Sequence, residues 1–296
     1  MRKRLIFRGD DVGYTKTYND GIFKGIDEGI ITDAEYMLDS PGTIDALQRL
    51  KERPWISVGW HRHLWNYPVL PKEEVPSLVD EEGRFKWRHK QPGRMVEATY
   101  EDCYKEFMAE AELSYQILGR YPDTATIRNS DLPLEKAFAD VVKELHIVHN
   151  IETFRPGSFK AEHQKGEPVP CSMKLFNGQI IDETYNNWQD KCDFDLKTYS
   201  EYKPEEYTFR HHWESEDEII YGGGGHPGYL DDFILSESRS NIYRVRELQA
   251  CLSKEVRQWI IDNQIELINV RDALYGTNEY QMHLKHIGSD LYMLEK

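Results

Sequence analysis

Within its first sixty residues the chain changes hydrophobic period four times, and that alternation restricts its fold more than any other feature. "RLIFRGDD" (residues 4–11) is a short apolar run that ends in two carboxylates. In "TYNDGIFKGIDEGI", Ile22, Ile26 and Ile30 recur at the spacing of one helical face. "DAEYML" reads as a second strand, "TIDALQRLKER" as a helix stopped by Pro54, and "WISVGWH" as a third strand. Strands separated by helical crossovers lie parallel, because the helix carries the chain back to the same end of the sheet. The expected class is therefore α/β.

The pattern continues beyond that point. "YEDCYKEFMAEAELSYQIL" is a strongly amphipathic helix, "TATIRN" a fourth strand, "LEKAFADVVKEL" a helix opened by Pro133, and "HIVHNI" a fifth strand. Residues 65–95 carry Pro68, Pro71, Pro76 and Pro92 and read as a long loop over one face. Residues 155–215 show no sustained period, apart from a hairpin signal at Asn-Gly in "LFNGQII". "DEIIYGGGGHPGYLDD" then reads as a strand entering a glycine-rich loop. Helices follow at "NIYRVRELQACL" and "KEVRQWIIDNQ", and "IELINVRDAL" is a closing strand. The expectation is a single domain over residues 1–296 with an irregular excursion at about 155–215.

Composition excludes some partners. Hydrophobic residues at 39% supply a sizeable core, and the formal net charge of −15 argues against binding a nucleic-acid backbone. No apolar run approaches the length of a membrane span. The apolar stretch after "MRKR" is too short for a signal-peptide core, so the cytoplasm is the expected compartment. Cys103, Cys171, Cys192 and Cys251 lack CxxC spacing and read as reduced thiols.

Three clusters could carry chemistry, each at the end of an expected strand. Asp10 and Asp11 end the first; one can bind a divalent cation while the other acts as base, or one caps the next helix and the other is solvated. His61 and His63 follow the third, where alternation puts both imidazoles on one side, suited to a transition metal. In "GGGGHPG" the glycines admit close approach of a ligand, and His226 before Pro227 is a candidate general acid. No Lys-Ser/Thr pair follows, so this is not a phosphate-binding loop.

Together these blocks resemble the YdjC-type (ChbG-type) carbohydrate deacetylase family. The resemblance lies in "RLIFRGDDVGYTKTYNDGIFKGIDEGIITDAEYML", in "ISVGWHRHLWNYPVLPKEEVPSLVDEEGRF", and in "GGHPGYLDD" with the helical stretch after it, in that order. It implies a (β/α) barrel-like fold of seven parallel strands, of the polysaccharide-deacetylase kind. It also implies a divalent metal (Mg or Zn) and removal of acetyl groups from N-acetylated sugars such as chitooligosaccharides. By resemblance Asp10 is the general base, Asp11 and His61 are metal ligands, and His226 is the acid or transition-state partner. The partner is then a small carbohydrate, with self-association expected as well. Trp65 and Tyr229 flank these blocks as candidate stacking surfaces for a sugar ring.

One block departs from the family pattern. Where the family carries a His-rich run before a proline, this chain has "TATIRNSDLP", which places Thr126, Arg128 and Ser130 at the histidine positions. Three outcomes are open. His63 replaces the missing ligand; or the metal is lost and Arg128 supplies positive charge for an acidic sugar; or the protein only binds carbohydrate.

Overall fold

A computed structural model of the 296-residue chain describes residues 3–86, 98–128, 130–149, 219–238 and 241–294, with the backbone alone for 219–224 and for short strand segments between 157 and 175. The expected excursion and its hairpin lie largely outside the described residues, as do Cys171 and Cys192.

The elements follow the alternation. Strand β1 (Arg4–Val12) leads into helix α1 (Lys16–Asp27), whose Thr15 side chain accepts the Tyr18 N–H and so caps its first turn. Strand β2 (Asp33–Tyr36), helix α2 (Thr43–Lys51) and strand β3 (Ser57–Trp60) come next. Helix α3 (Tyr100–Leu118) is capped by Thr99 and stopped by Gly119, whose φ of +84° only glycine adopts freely. Strand β4 (Thr124–Ala125), helix α4 (Pro133–Glu144) and strand β5 (Val148–His149) complete the first half. Short strands β6 (Gly157–Ser158), β7 (Ala161–Glu162), β8 (Pro168–Val169) and β9 (Met173–Leu175) precede β10 (Ile219–Gly225). Helices α5 (Asp232–Glu237), α6 (Tyr243–Cys251) and α7 (Lys254–Asp262) follow, then strand β11 (Glu266–Leu267) and helices α8 (Val270–Tyr275) and α9 (Glu279–His286).

The run β9-β10-β1-β2-β3-β4-β5 is parallel throughout, with β11 also parallel to β1. The expected α/β class with a parallel sheet is what the chain adopts. Antiparallel strands extend the two ends, and among the described residues no pairing joins those ends. No helix in the described residues is long and apolar enough to cross a membrane.

Two boundaries differ from expectation for local reasons. "IELINVRDAL" is strand only at Glu266–Leu267, because Asn269 and Asp272 exchange side-chain and backbone hydrogen bonds in a capping box that starts α8. The glycines Gly222–Gly225 belong to β10 rather than to a loop, since their backbone pairs with Phe7, Arg8 and Gly9 of β1. Ladder pairing outweighs their low strand preference.

The core lies on the helix-facing side of the sheet. Ile22, Ile26, Ile30 and Ile31 pack there from α1 and the turn after it, and Trp60, Phe107 and Phe138 form an edge-to-face group with centroids 4.9–6.2 Å apart. Complete burial of each such side chain is worth about 1.5–3 kcal/mol. Helix α3 also turns Glu106 and Glu110 inward, one helical turn apart. Glu106 accepts the N–H groups of Val69 (2.6 Å) and Leu70 (3.1 Å) and so ties the loop after β3 to the helix. Glu110 accepts the indole N–H of Trp60 at 3.1 Å. Burial pushes Glu106 up to about 7, and burial together with the charges of Glu106 and Asp39 pushes Glu110 well above the ordinary carboxyl range.

A carboxyl raised in this way holds a proton that the unfolded chain has already lost above about pH 4.3, so stability falls as pH climbs from there towards the folded value. Glu110→Gln keeps an acceptor for Trp60 and removes the titration. In thermal melts it is expected to match the wild type near or below about pH 4.3 and to exceed it by a growing margin up to pH 8. The scale is about 2–4 °C for each kcal/mol regained.

Candidate active site at the carboxyl ends of the strands

Parallel strands deliver their carboxyl ends to one face, and the polar clusters of β1, β3 and β10 meet there. At the end of β1 the ladder to β2 slips between Gly9 and Val12, and Asp11 takes a left-handed φ of +62°. This bulge breaks the up-down alternation that would have sent Asp10 and Asp11 to opposite faces. Both side chains are buried and face the same cluster of histidines and arginines.

His61 continues the register of β3 by donating its N–H to the Tyr36 carbonyl at 3.0 Å. Strand β3 stops at Trp60, and the Arg62 N–H turns back to the Trp60 carbonyl at 3.1 Å; past this turn the His63 ring still comes to 4.5 Å from that of His61 by centroid. His226 is fixed from two directions. Its N–H is donated to Glu247 of α6, and the turn after it sits so close to α1 that a Cβ on Gly228 would lie 2.2 Å from the Tyr18 ring.

Asp11 is the centre of this arrangement. His61 Nε2 lies 3.1 Å and His63 Nε2 3.7 Å from its Oδ1; Arg244 Nη2 donates to its Oδ2 at 2.7 Å, and His226 Nε2 stands 4.0 Å away. Burial alone would raise the Asp11 pKa, but Arg244, His226, His61 and His63 hold it well below the usual carboxylate range. Burial opposes a charge on His61 too, yet its contact with Asp11 and the charges of Asp10, Asp11 and Glu35 raise it to about 9. Burial and the neighbouring His61 push His63 down to about 3, so it stays neutral.

Asp10 has a different partner. Arg8, two residues back on the same side of β1, donates from Nη2 to Oδ2 at 2.9 Å and brings Nε to 2.7 Å from Oδ1. The Tyr18 hydroxyl donates to the Asp10 carbonyl at 2.6 Å. Trp65 lays its ring 4.2 Å from that of His63, and Asp39 accepts its N–H at 2.7 Å. Tyr229 is exposed, following the His226 turn. Arg128 is exposed beyond the end of β4, as is Thr126. The guanidinium bonded to Asp11 is that of Arg244.

Asp11, His61 and His63 each offer a ligand atom, all within 4.8 Å of one another. Asp11 Oδ1 and His63 Nδ1 are buried and accept or donate no hydrogen bond. A carboxylate oxygen with two imidazole nitrogens is a donor set suited to a divalent transition metal. The residues present therefore fit a cation.

Arg244, Arg8 and Glu35 join the site without having been singled out from sequence. Arg244 is 233 positions from Asp11, and its one signal is a charged residue on the buried face of α6, beside Tyr243, Leu248 and Cys251. Glu35 is likewise a carboxyl inside the fully buried strand β2, and Arg8 precedes the Asp pair by two residues.

A carbohydrate deacetylase of Clostridium beijerinckii is 34% identical over 274 residues, covering 91% of this chain and 99% of that one. A carbohydrate deacetylase of Brevibacillus brevis is 26% identical, with 90% and 97% covered. Among solved structures, a putative cellobiose-phosphate cleavage protein of Enterococcus faecalis superposes with a TM-score of 0.63 at 23% identity, covering 92% of this chain and 99% of the other, and so shares the fold. The model of the YdjC-like protein family matches residues 4–262, and the chain belongs to that family.

Proposed function

We propose that the protein hydrolyses the acetamide of an N-acetylated sugar or short oligosaccharide. The observation that carries this reading is the convergence of Asp11, His61 and His63, with Asp10 and His226 beside them. The names of the family relatives, carbohydrate deacetylases, supply the substrate class.

In this reading Asp11, His61 and His63 hold a divalent cation, and His63 takes the part of the ligand missing from "TATIRNSDLP". Two imidazoles and one carboxylate suit zinc better than magnesium, which prefers an all-oxygen shell. When bound, such a cation lowers the pKa of water and polarises an amide carbonyl. Asp10 receives the proton of the attacking water, while Arg8, bonded to its carboxyl, holds it in place. His226 protonates the departing amine or stabilises the oxyanion that attack creates. Trp65, already packed on His63, offers a face for a sugar ring, and the exposed Tyr229 a second one. Arg128, exposed three residues beyond β4, is the residue this reading assigns to an anionic group on the substrate.

One observation favours a second reading. Arg244 already balances the Asp11 charge from 2.7 Å, which allows a metal-independent site in which Asp10 and His226 act alone, or a site that only binds sugar.

Acetate release from N-acetylated chitooligosaccharides separates these readings. The leading one expects a divalent ion in the purified protein, loss of turnover with chelator, and recovery on adding zinc. Turnover that resists chelator supports the metal-independent reading, and sugar binding without acetate supports the binding protein. Within the leading reading, Asp10→Asn is expected to lower kcat by about 10²–10⁴-fold with KM little changed, the signature of a lost general base. His63→Ala is expected to weaken zinc binding, measured by competition with a chromogenic chelator; unchanged affinity would remove His63 from the ligand set.

A further inference from the structure

The His61 ring stands between two carboxylates, one for each nitrogen. Nε2 faces Asp11 Oδ1 at 3.1 Å, and Nδ1 faces Glu35 Oε2 at 3.8 Å. Glu35 comes from β2 and is buried, with Arg8 and Asp10 as its other charged neighbours. An ionisable side chain in the interior of a parallel sheet is costly unless something there requires it.

The next strand is built around this carboxyl. Glu35 pairs across the ladder with Gly59, two residues before His61. A Cβ on Gly59 would lie 2.1 Å from Glu35 Oε1 and 2.5 Å from its Cδ, so any side chain at 59 displaces the carboxyl. Gly59 keeps an ordinary extended backbone in β3, and its lack of a side chain is used for space rather than for an unusual φ. The absent side chain of β3 is thus the cradle that holds the Glu35 carboxyl beneath the His61 ring.

We propose that Glu35 is a positioning residue for His61. It accepts the Nδ1 proton, fixes the tautomer, and presents the Nε2 lone pair to the cation. Metal-bound histidines commonly donate their second ring nitrogen to a carboxylate, and loss of that partner commonly costs 10–100-fold in metal affinity. At 3.8 Å the pair is a charge contact; a shift of under about 1 Å brings it into hydrogen-bond range. The assignment rests on the metal-binding reading above.

The test is zinc affinity of the full chain by chelator competition, with thermal melts of the metal-free protein alongside. Glu35→Ala is expected to weaken zinc binding by about 10–100-fold, compared at a temperature where the metal-free melts show wild type and variant both folded. Glu35→Gln keeps the size and one acceptor oxygen, and is expected to lose less. In zinc-loaded protein carrying ¹⁵N-histidine, His61 is expected to show one Nδ1-protonated tautomer, and Glu35→Ala to blur it. Failure of the wild type to take up zinc overturns the metal reading and this assignment together. Zinc uptake by the wild type with equal affinity in the folded Glu35 variants overturns the Glu35 assignment alone, and leaves the metal reading standing.

Discussion

The site depends on keeping one buried carboxylate ionised. Asp11 is almost without solvent, and an isolated charge there would take up a proton rather than bear its desolvation. The Arg244 guanidinium, itself buried, prevents this at Oδ2, with His226 4.0 Å from the same oxygen, and the imidazoles of His61 and His63 face Oδ1. The aromatic faces of Tyr14 and Tyr18 flank the guanidinium at 5.2 and 5.1 Å and supply part of what it loses on leaving water. A carboxylate held in this way has one oxygen occupied by a fixed cation and the other turned to two nitrogens. That asymmetry gives the site its direction.

A second layer repeats the logic beneath the first. Arg8 grips Asp10, and Glu35 sits beside both Arg8 and His61. Charges of opposite sign alternate through the interior at the strand ends, so each buried ion faces a partner. Such layers add little to stability compared with apolar packing of the same volume, but removing a single member leaves an unpaired charge. Their value lies in orientation. Above them, Asp39 and Glu106 accept backbone N–H groups from Trp65, Asn66, Val69 and Leu70 and hold the loop that carries Trp65 against the His63 ring.

Much of the fold was legible along the chain because its signals are local. Ile22, Ile26 and Ile30 mark α1 by spacing alone, Pro133 marks the start of α4, and the apolar runs mark β1, β2 and β3. Legibility failed where local preference met a competing force. Four glycines read as a loop, yet a ladder to β1 holds them in β10; an apolar run read as a strand, yet the Asn269–Asp272 capping box turns it into helix. Of the site, Asp10, Asp11, His61, His63 and His226 were visible because they stand at strand ends in short polar blocks. Arg244, Glu35 and Arg8 were not, because a charged residue inside a helix or strand looks like any other until its partner is known.

The sequence by itself determined the order of strands and helices, their parallel sense, and the face on which polar residues collect. Periodicity and crossover length act over a few residues and need no distant partner. The tertiary structure alone decided which charge answers which. The bulge that turns Asp10 and Asp11 the same way, the space at Gly59 filled by the Glu35 carboxyl, and the guanidinium that reaches Asp11 from 233 residues away all depend on elements meeting across the sheet. Electrostatic balance in a buried site is a property of distances through space, and those exist only once the chain has closed on itself.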